Sequence, residues 1–170
     1  YGISTGFGAL ATTGIPVERR RDLQRSLARS PAAGTGPPVE REVVRAMQVL
    51  RLHTLATGHT GARPVLATTI AAMLNAGLTP VVPEFGSLGC SGDLAPLAAC
   101  ALALMGEGEV YDDTGAPVAA GESLRKNGIE PVLLEAKEGL ALLNGTDGML
   151  GRLVMANLGM GSLIAAAYLA

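Results

Sequence analysis

This sequence predicts a mainly α-helical fold with one short β-hairpin near residues 108–118, and three observations carry that expectation. Apolar residues recur three and four apart through most of the chain, the spacing of one helix face. No strand–helix–strand rhythm runs along it and no segment repeats, so a parallel-sheet architecture is not expected. The stretch from Leu153 to Ala170 carries no charge, which calls for a helix in an apolar setting.

Residues 1–15 hold Gly2, Gly6, Gly8 and Gly14 and are expected to be loop-rich. A helix is expected over residues 17–29, with Leu23 and Leu27 one turn apart and Arg19, Arg20 and Arg21 as a solvated turn. The glycine- and proline-bearing string from Ser30 to Gly36 ends it. Pro37 and Pro38 suit the first turn of a second helix, where no backbone N–H is needed. Val43, Met47 and Leu50 mark its buried stripe. Residues 58–63 connect to a third helix opened by Pro64, with Leu66, Ile70, Met73 and Leu74 facing the core and Asn75 and Gly77 ending it. Val81, Val82 and Pro83 read as a short extended piece. A helix follows from Asp93 with Leu94, Leu97, Ala101 and Leu104 on one side, stopped by Gly106. The hairpin over residues 108–118 turns on Asp112, Asp113, Thr114 and Gly115. A short helix over residues 122–126, a turn or helix over 136–142, and a long apolar helix capped by Asp147 complete the chain.

Composition narrows the function. The net charge of −2 and the absence of a Lys/Arg block argue against a nucleic-acid partner. An aromatic content of 3% leaves few platforms on which bases could stack. Cys90 and Cys100 cannot form a secreted disulfide framework, and no signal peptide is visible, so a cytoplasmic protein is expected. The chain opens on Tyr1 rather than Met, which leaves room for an upstream segment. His53 and His59 are six apart and off one helical face, so no metal site is expected. The uncharged stretch from Leu153 is long enough to cross a membrane. Asn157, Gly159, Gly161 and Ser162, with no basic flank beyond Arg152, favour a buried bundle helix and no membrane partner. A hydrophobic content of 48% suggests apolar faces meant for more protein, hence a homo-oligomer.

The chemistry concentrates in residues 86–97, Gly-Ser-Leu-Gly-Cys-Ser-Gly-Asp-Leu-Ala-Pro-Leu. Gly92 has no side chain to shield its amide nitrogen, which can reach the carbonyl carbon of Cys90. Loss of two waters, one involving the Ser91 hydroxyl, leaves a ring with an exocyclic methylidene, an electrophile that no standard side chain supplies. Taken alone, a Ser-Gly pair before Asp93 reads as a turn and a helix N-cap. The serine-hydrolase elbow fails, because Gly89-Cys90-Ser91-Gly92 runs into Asp93 and no local histidine pairs with Ser91.

The longer string resembles the signature of the histidine and aromatic amino acid ammonia-lyases. Two further segments match in order: residues 1–8, Tyr-Gly-Ile-Ser-Thr-Gly-Phe-Gly, and residues 137–146, Lys-Glu-Gly-Leu-Ala-Leu-Leu-Asn-Gly-Thr. The match runs through essentially the whole chain, is most like a histidine ammonia-lyase, and covers only the first part of a family subunit. It implies the helical-bundle portion of an ammonia-lyase-like fold. Residues 1–58 would belong to an N-terminal region carrying the tyrosine loop. Residues 59–170 would begin the central helical region carrying the triad and the asparagine loop.

By this resemblance Cys90, Ser91 and Gly92 cyclise to 4-methylidene-imidazol-5-one, and no soluble cofactor is required. The ring supplies covalent catalysis for expelling ammonia from an amino acid such as histidine, which would give urocanate. Asp93 would act in cyclisation as well as capping. Tyr1 would remove the β-proton; a free tyrosine titrates near pH 10, so this role needs neighbours that favour the phenolate. Asn144 would hold the ring oxygen or the substrate carboxylate, and Thr146 and Asp147 would serve as turn and cap. Ser30 and Pro31 would sit where the substrate is read. Histidine-directed members typically carry histidine at the position of Pro31, a departure that weakens the case for histidine as substrate, and family members often carry histidine at the position of Ala99 as well. Later residues of family subunits, and neighbouring subunits of a tetramer, complete such sites, so a truncated chain of this kind is expected to be inactive alone. An aromatic amino acid 2,3-aminomutase using the same ring, and a non-catalytic helical relative, are the alternative readings.

Overall fold

The computed structural model describes residues 1–90, 92–112 and 114–169. Isolated 3-10 turns at Gly8–Leu10 and Val17–Arg19 lead into α1 (Arg20–Arg29). Then come β1 (Thr35–Pro38), α2 (Arg41–Ala56), α3 (Pro64–Asn75), β2 (Thr79–Pro80), β3 (Pro83–Phe85) and α4 (Leu94–Leu104). The chain continues through β4 (Glu109–Tyr111), β5 (Pro117–Ala119), α5 (Ala120–Lys126), α6 (Glu138–Leu143) and α7 (Asp147–Leu169). The mainly helical expectation holds.

The core lies between α2, α3, α4 and α6, where Val44, Met47, Leu66, Met73, Leu97, Leu104 and Leu143 are fully buried. α3 follows the expected stripe and Pro64 opens it at its first position; α4 buries Leu97, Ala101 and Leu104 as expected, but Leu94, in its first turn, is exposed. α1 differs in detail: Gln24 and Ala28 face the interior, with Leu23 and Leu27 half-buried beside them. On α2 the buried face runs Val43, Val44, Met47, Gln48 and Arg51, and Leu50 is only half-buried. An arginine thus continues the stripe at the position one turn beyond Met47.

Pro37 and Pro38 do not begin a helix. They lie in β1, which pairs antiparallel with β3 through Thr35 opposite Phe85 and Pro38 opposite Pro83. Proline lacks the ladder donor, so it is tolerated in such an edge pair, and it holds its predecessor extended. α2 starts later, at Arg41. Extended structure therefore exceeds the single expected hairpin. That hairpin, β4 with β5, is present and gains β2 as a third antiparallel strand. Its turn is fastened by Asp112, whose Oδ1 accepts the N–H groups of Thr114 at 2.8 Å and Ala116 at 3.0 Å. Val82, read as extended, is buried between β2 and β3 and its carbonyl accepts the Val39 N–H at 2.8 Å. Asp113 lies outside the described residues.

α7 departs most from expectation. Only Asp147, Gly148 and Gly151 are buried, and Leu153, Leu158, Leu163 and Tyr168 stand in solvent at 62, 62, 63 and 88% exposure. A helix apolar on all sides needs neighbours on all sides, and this chain packs only its first turns, mainly against α2. α7 is also long and apolar enough to cross a membrane by length and composition.

The start of α6 is held by an ionic clamp. Glu138, almost fully buried, accepts Arg63 Nε at 2.8 Å, Arg63 Nη2 at 2.7 Å, the Arg63 N–H at 3.0 Å and the Glu135 N–H at 2.8 Å. Burial pushes its carboxyl upward, but the Arg63 guanidinium and the two amides prevail and hold it below the ordinary carboxylate value. A depressed folded value contributes stability above the unfolded pKa, about 4.3 for glutamate, and loses it as pH falls through the folded value. Melting curves of the protein and of Glu138→Gln are expected to differ most above about pH 5 and to converge as the pH falls through the folded value. A gap that stays constant with pH would contradict this.

Candidate active site

The segment between β3 and α4 is bent back on itself by its own side chains. Ser87 donates its hydroxyl to Asp93 Oδ1, and the Gly89 N–H donates to Ser87 Oγ at 3.2 Å. Cys90 is exposed, and Ser91, the residue expected to dehydrate, lies outside the described residues. Gly92 is open: a Cβ built there would find Leu94 at 3.7 Å and Asn144 Oδ1 at 3.9 Å. The amide side chain of Asn144 therefore faces the glycine of the triad.

Asp93 is fully buried, and it does not cap its own helix. Its Oδ2 accepts the Met149 N–H at 3.0 Å, in the first turn of α7. The expected capping carboxylate is real but serves another helix, where it meets unpaired amides and the positive end of the helix dipole. The Asp93 N–H donates to the Gly145 carbonyl at 2.7 Å. Backbone and side chain of Asp93 thus grip both ends of the α6–α7 connection.

That connection is tightly seated. A Cβ on Gly148 would lie 3.1 Å from the Asp93 carboxylate, and one on Gly145 would collide with Arg51 Nη2. A side chain at Gly145 would have to displace the guanidinium, and one at Gly148 would press on the carboxylate. Asp147 is not primarily a cap either: it is buried and ion-paired with Arg51 from α2.

Among the described residues the other sequence candidates make no hydrogen bond to Gly92, Asp93 or Asn144. Tyr1 is exposed, accepts the Gly8 N–H through its hydroxyl at 3.0 Å, and stacks edge-on against Phe7 at 5.5 Å. Its segment is nevertheless tied to the asparagine segment through Gln24, whose Nε2 donates to the Gly2 carbonyl at 3.3 Å and whose Oε1 accepts the Gly139 N–H at 3.0 Å. Ser30 closes the end of α1, exposed, with its N–H on the Ser26 carbonyl at 2.9 Å, and Pro31 follows half-buried. The loop they begin runs to Gly34, against which Gly86 is packed. Sequence reasoning missed Arg51, Ser87, Gly145 and Gly148. Of these only Arg51 left a signal, as a charge in phase with the apolar face of α2.

A helical frame that brings Gly92 and Asp93 of a Gly-Cys-Ser-Gly-Asp string against an asparagine loop fits one class of protein. The chain belongs to the aromatic amino acid lyase family, whose model matches residues 1–170. This family works through the methylidene-imidazolone ring and uses no soluble cofactor.

Among its relatives is the histidine ammonia-lyase of Streptomyces griseus, 67% identical over 156 residues, which are 92% of this chain and 30% of that protein. The tyrosine ammonia-lyase of Cupriavidus metallidurans is 49% identical over 89% of this chain and 28% of its own length. The crystal structure of tyrosine aminomutase from Streptomyces globisporus superposes with a TM-score of 0.82 at 45% identity, covering 89% of this chain and 28% of that one. The chain thus spans about 30% of the length of the curated relatives it matches.

Proposed function

We propose that this chain supplies the electrophile-forming segment of an ammonia-lyase acting on histidine or a related aromatic amino acid. The observation that carries the reading is the meeting of Gly92, Asp93 and Asn144 on one frame. These residues fit the ring: Gly92 is unshielded, space lies beyond it, and an amide faces it. Cys90, Ser91 and Gly92 would form it, the Gly92 nitrogen closing on the Cys90 carbonyl with loss of two waters. When formed, the ring supplies an electrophile for the substrate amine.

The chain's own side chains then divide the remaining work. Asn144 offers a donor and an acceptor to hold a carbonyl or carboxylate oxygen over Gly92. Asp93 fixes the segment through Met149 and Gly145 and places a buried negative charge beside the cyclising backbone. Tyr1 is the candidate for the β-proton, and Ser30 and Pro31 for reading the side chain of the substrate.

Histidine is favoured as substrate by the 67% identity to a histidine ammonia-lyase. The likeness to a tyrosine aminomutase supports the second reading, a 2,3-aminomutase on the same ring. The exposed apolar length of α7 supports assembly with further protein rather than a monomer. A cytoplasmic location and the absence of nucleic-acid, membrane and metal partners remain part of the proposal, on the composition given above.

Intact mass tests the reading. The expressed chain is expected to weigh two waters less than its sequence, and Ser91→Ala is expected to restore the full mass. An unmodified mass in the parent chain favours the non-catalytic relative. Assays of histidine, phenylalanine and tyrosine for ammonia separate lyase from mutase, since a β-amino acid product marks the mutase. The 170 residues alone are expected to turn over little or no substrate, and substantial activity would refute that.

A further inference from the structure

We propose that Arg51 is a positioning residue for this site, one that sets the Asn144 loop against the Gly92–Asp93 segment; this rests on the function proposed above. Arg51 lies on the buried face of α2, far in sequence from the triad, and touches none of its described residues through a hydrogen bond. Its guanidinium instead collects the whole α6–α7 connection. Nη1 donates to the Ala141 carbonyl at 3.0 Å, in α6, and to the Asn144 carbonyl at 3.3 Å. Nη2 is paired with the buried Asp147 carboxylate at the start of α7. Three acceptors on the last turn of one helix, the loop, and the first turn of the next are therefore held by one planar fork.

An ion pair with Asp147 would by itself be an ordinary structural contact. The loop contacts add something a pair does not need. Gly145 sits directly on the guanidinium, with no space for even a methyl group, and its carbonyl receives the Asp93 N–H at 2.7 Å. The Asn144 carbonyl is bonded to Arg51 while its side-chain Oδ1 faces Gly92. The position of both groups that meet the Gly92–Asp93 segment is thus fixed from behind by one side chain. Lysine has the charge but not the fork, so it can keep Asp147 company without ordering the loop.

The test uses the whole chain with two readouts. Amide exchange is followed by NMR at Asp93, which reports its bond to Gly145, and at Ile70 and Met73 of α3, which report the core. Ring formation is followed as loss of two waters in intact mass. In Arg51→Lys the Asp93 amide is expected to exchange at least about tenfold faster with the α3 amides unchanged, and the ring to form at least about tenfold more slowly. Should that variant fail to fold, Arg51→Met/Asp147→Leu removes both charges together and is read in the same way.

Unchanged exchange at Asp93 in the variant overturns the proposal, whatever the masses. Faster exchange everywhere, or full recovery of both readouts by lysine, reduces Arg51 to a structural ion-pair partner and overturns it as well. If the parent chain never loses water, the proposed function fails, and the Asp93 exchange still decides the role of Arg51.

Discussion

Asp93→Ala is expected to slow ring formation by at least about tenfold and to destabilise the fold by about 1–3 kcal/mol. The stability figure follows from what is left behind. The Met149 N–H loses its acceptor in a partly buried place, and Ser87 loses the carboxylate that folds its segment back. Asp93→Asn separates the two effects. Its amide oxygen can still accept from Met149, and the Ser87 hydroxyl can rotate to accept from the amide nitrogen. Stability is therefore expected to recover in the asparagine variant while ring formation stays slow, because the negative charge beside the cyclising backbone is gone. Urea midpoints and intact mass give the two numbers. Equal ring formation in the asparagine and parent proteins would assign Asp93 a purely structural role.

Arg51→Met alone is expected to be the most damaging substitution for stability, at about 3–5 kcal/mol. Its side chain and that of Asp147 are only 6% and 7% exposed, so removing the cation strands a carboxylate in the interior. A loss of that size is a large share of the 5–15 kcal/mol typical of folded domains. Adding Asp147→Leu removes the stranded charge and is expected to return most of the loss, since replacing a buried pair by apolar groups is often close to neutral. Denaturant midpoints of the parent, single and double variants check this. Additive losses in the double variant would mean that the two residues act independently.

The elements that were legible in the sequence are those whose evidence is local. α3 and α4 carry apolar residues on one face and their own start and stop residues, so distant partners hardly enter. Pro37 and Pro38 show the limit. A missing N–H suits both a helix start and an edge strand, and pairing with Phe85 and Pro83 decides between them. α7 was legible as a helix but not as an exposed one, because a string apolar on all sides says nothing of which neighbours are present. Asp93 was legible as a capping carboxylate, yet the helix it caps begins more than fifty residues later. The approach of Asn144 to Gly92 came from resemblance alone. No spacing rule places an asparagine of one loop over a glycine of another. Arg51 was visible as a charge on an apolar stripe, without any indication of the carbonyls it would find.

The long sequence span of these contacts has a consequence for the order of events in the newly made chain. The Asp93–Met149 bond closes 56 residues and the Arg51–Asp147 pair closes 96. Contacts at such separations form late, because the entropy of closing the loop is lost before the contact returns anything. The turn around Gly92 is therefore drawn into place only when α2, α4 and the start of α7 have already met. Ring closure as proposed above would then come after folding and work as a clock on it: a chain that had lost its waters would be one already assembled correctly.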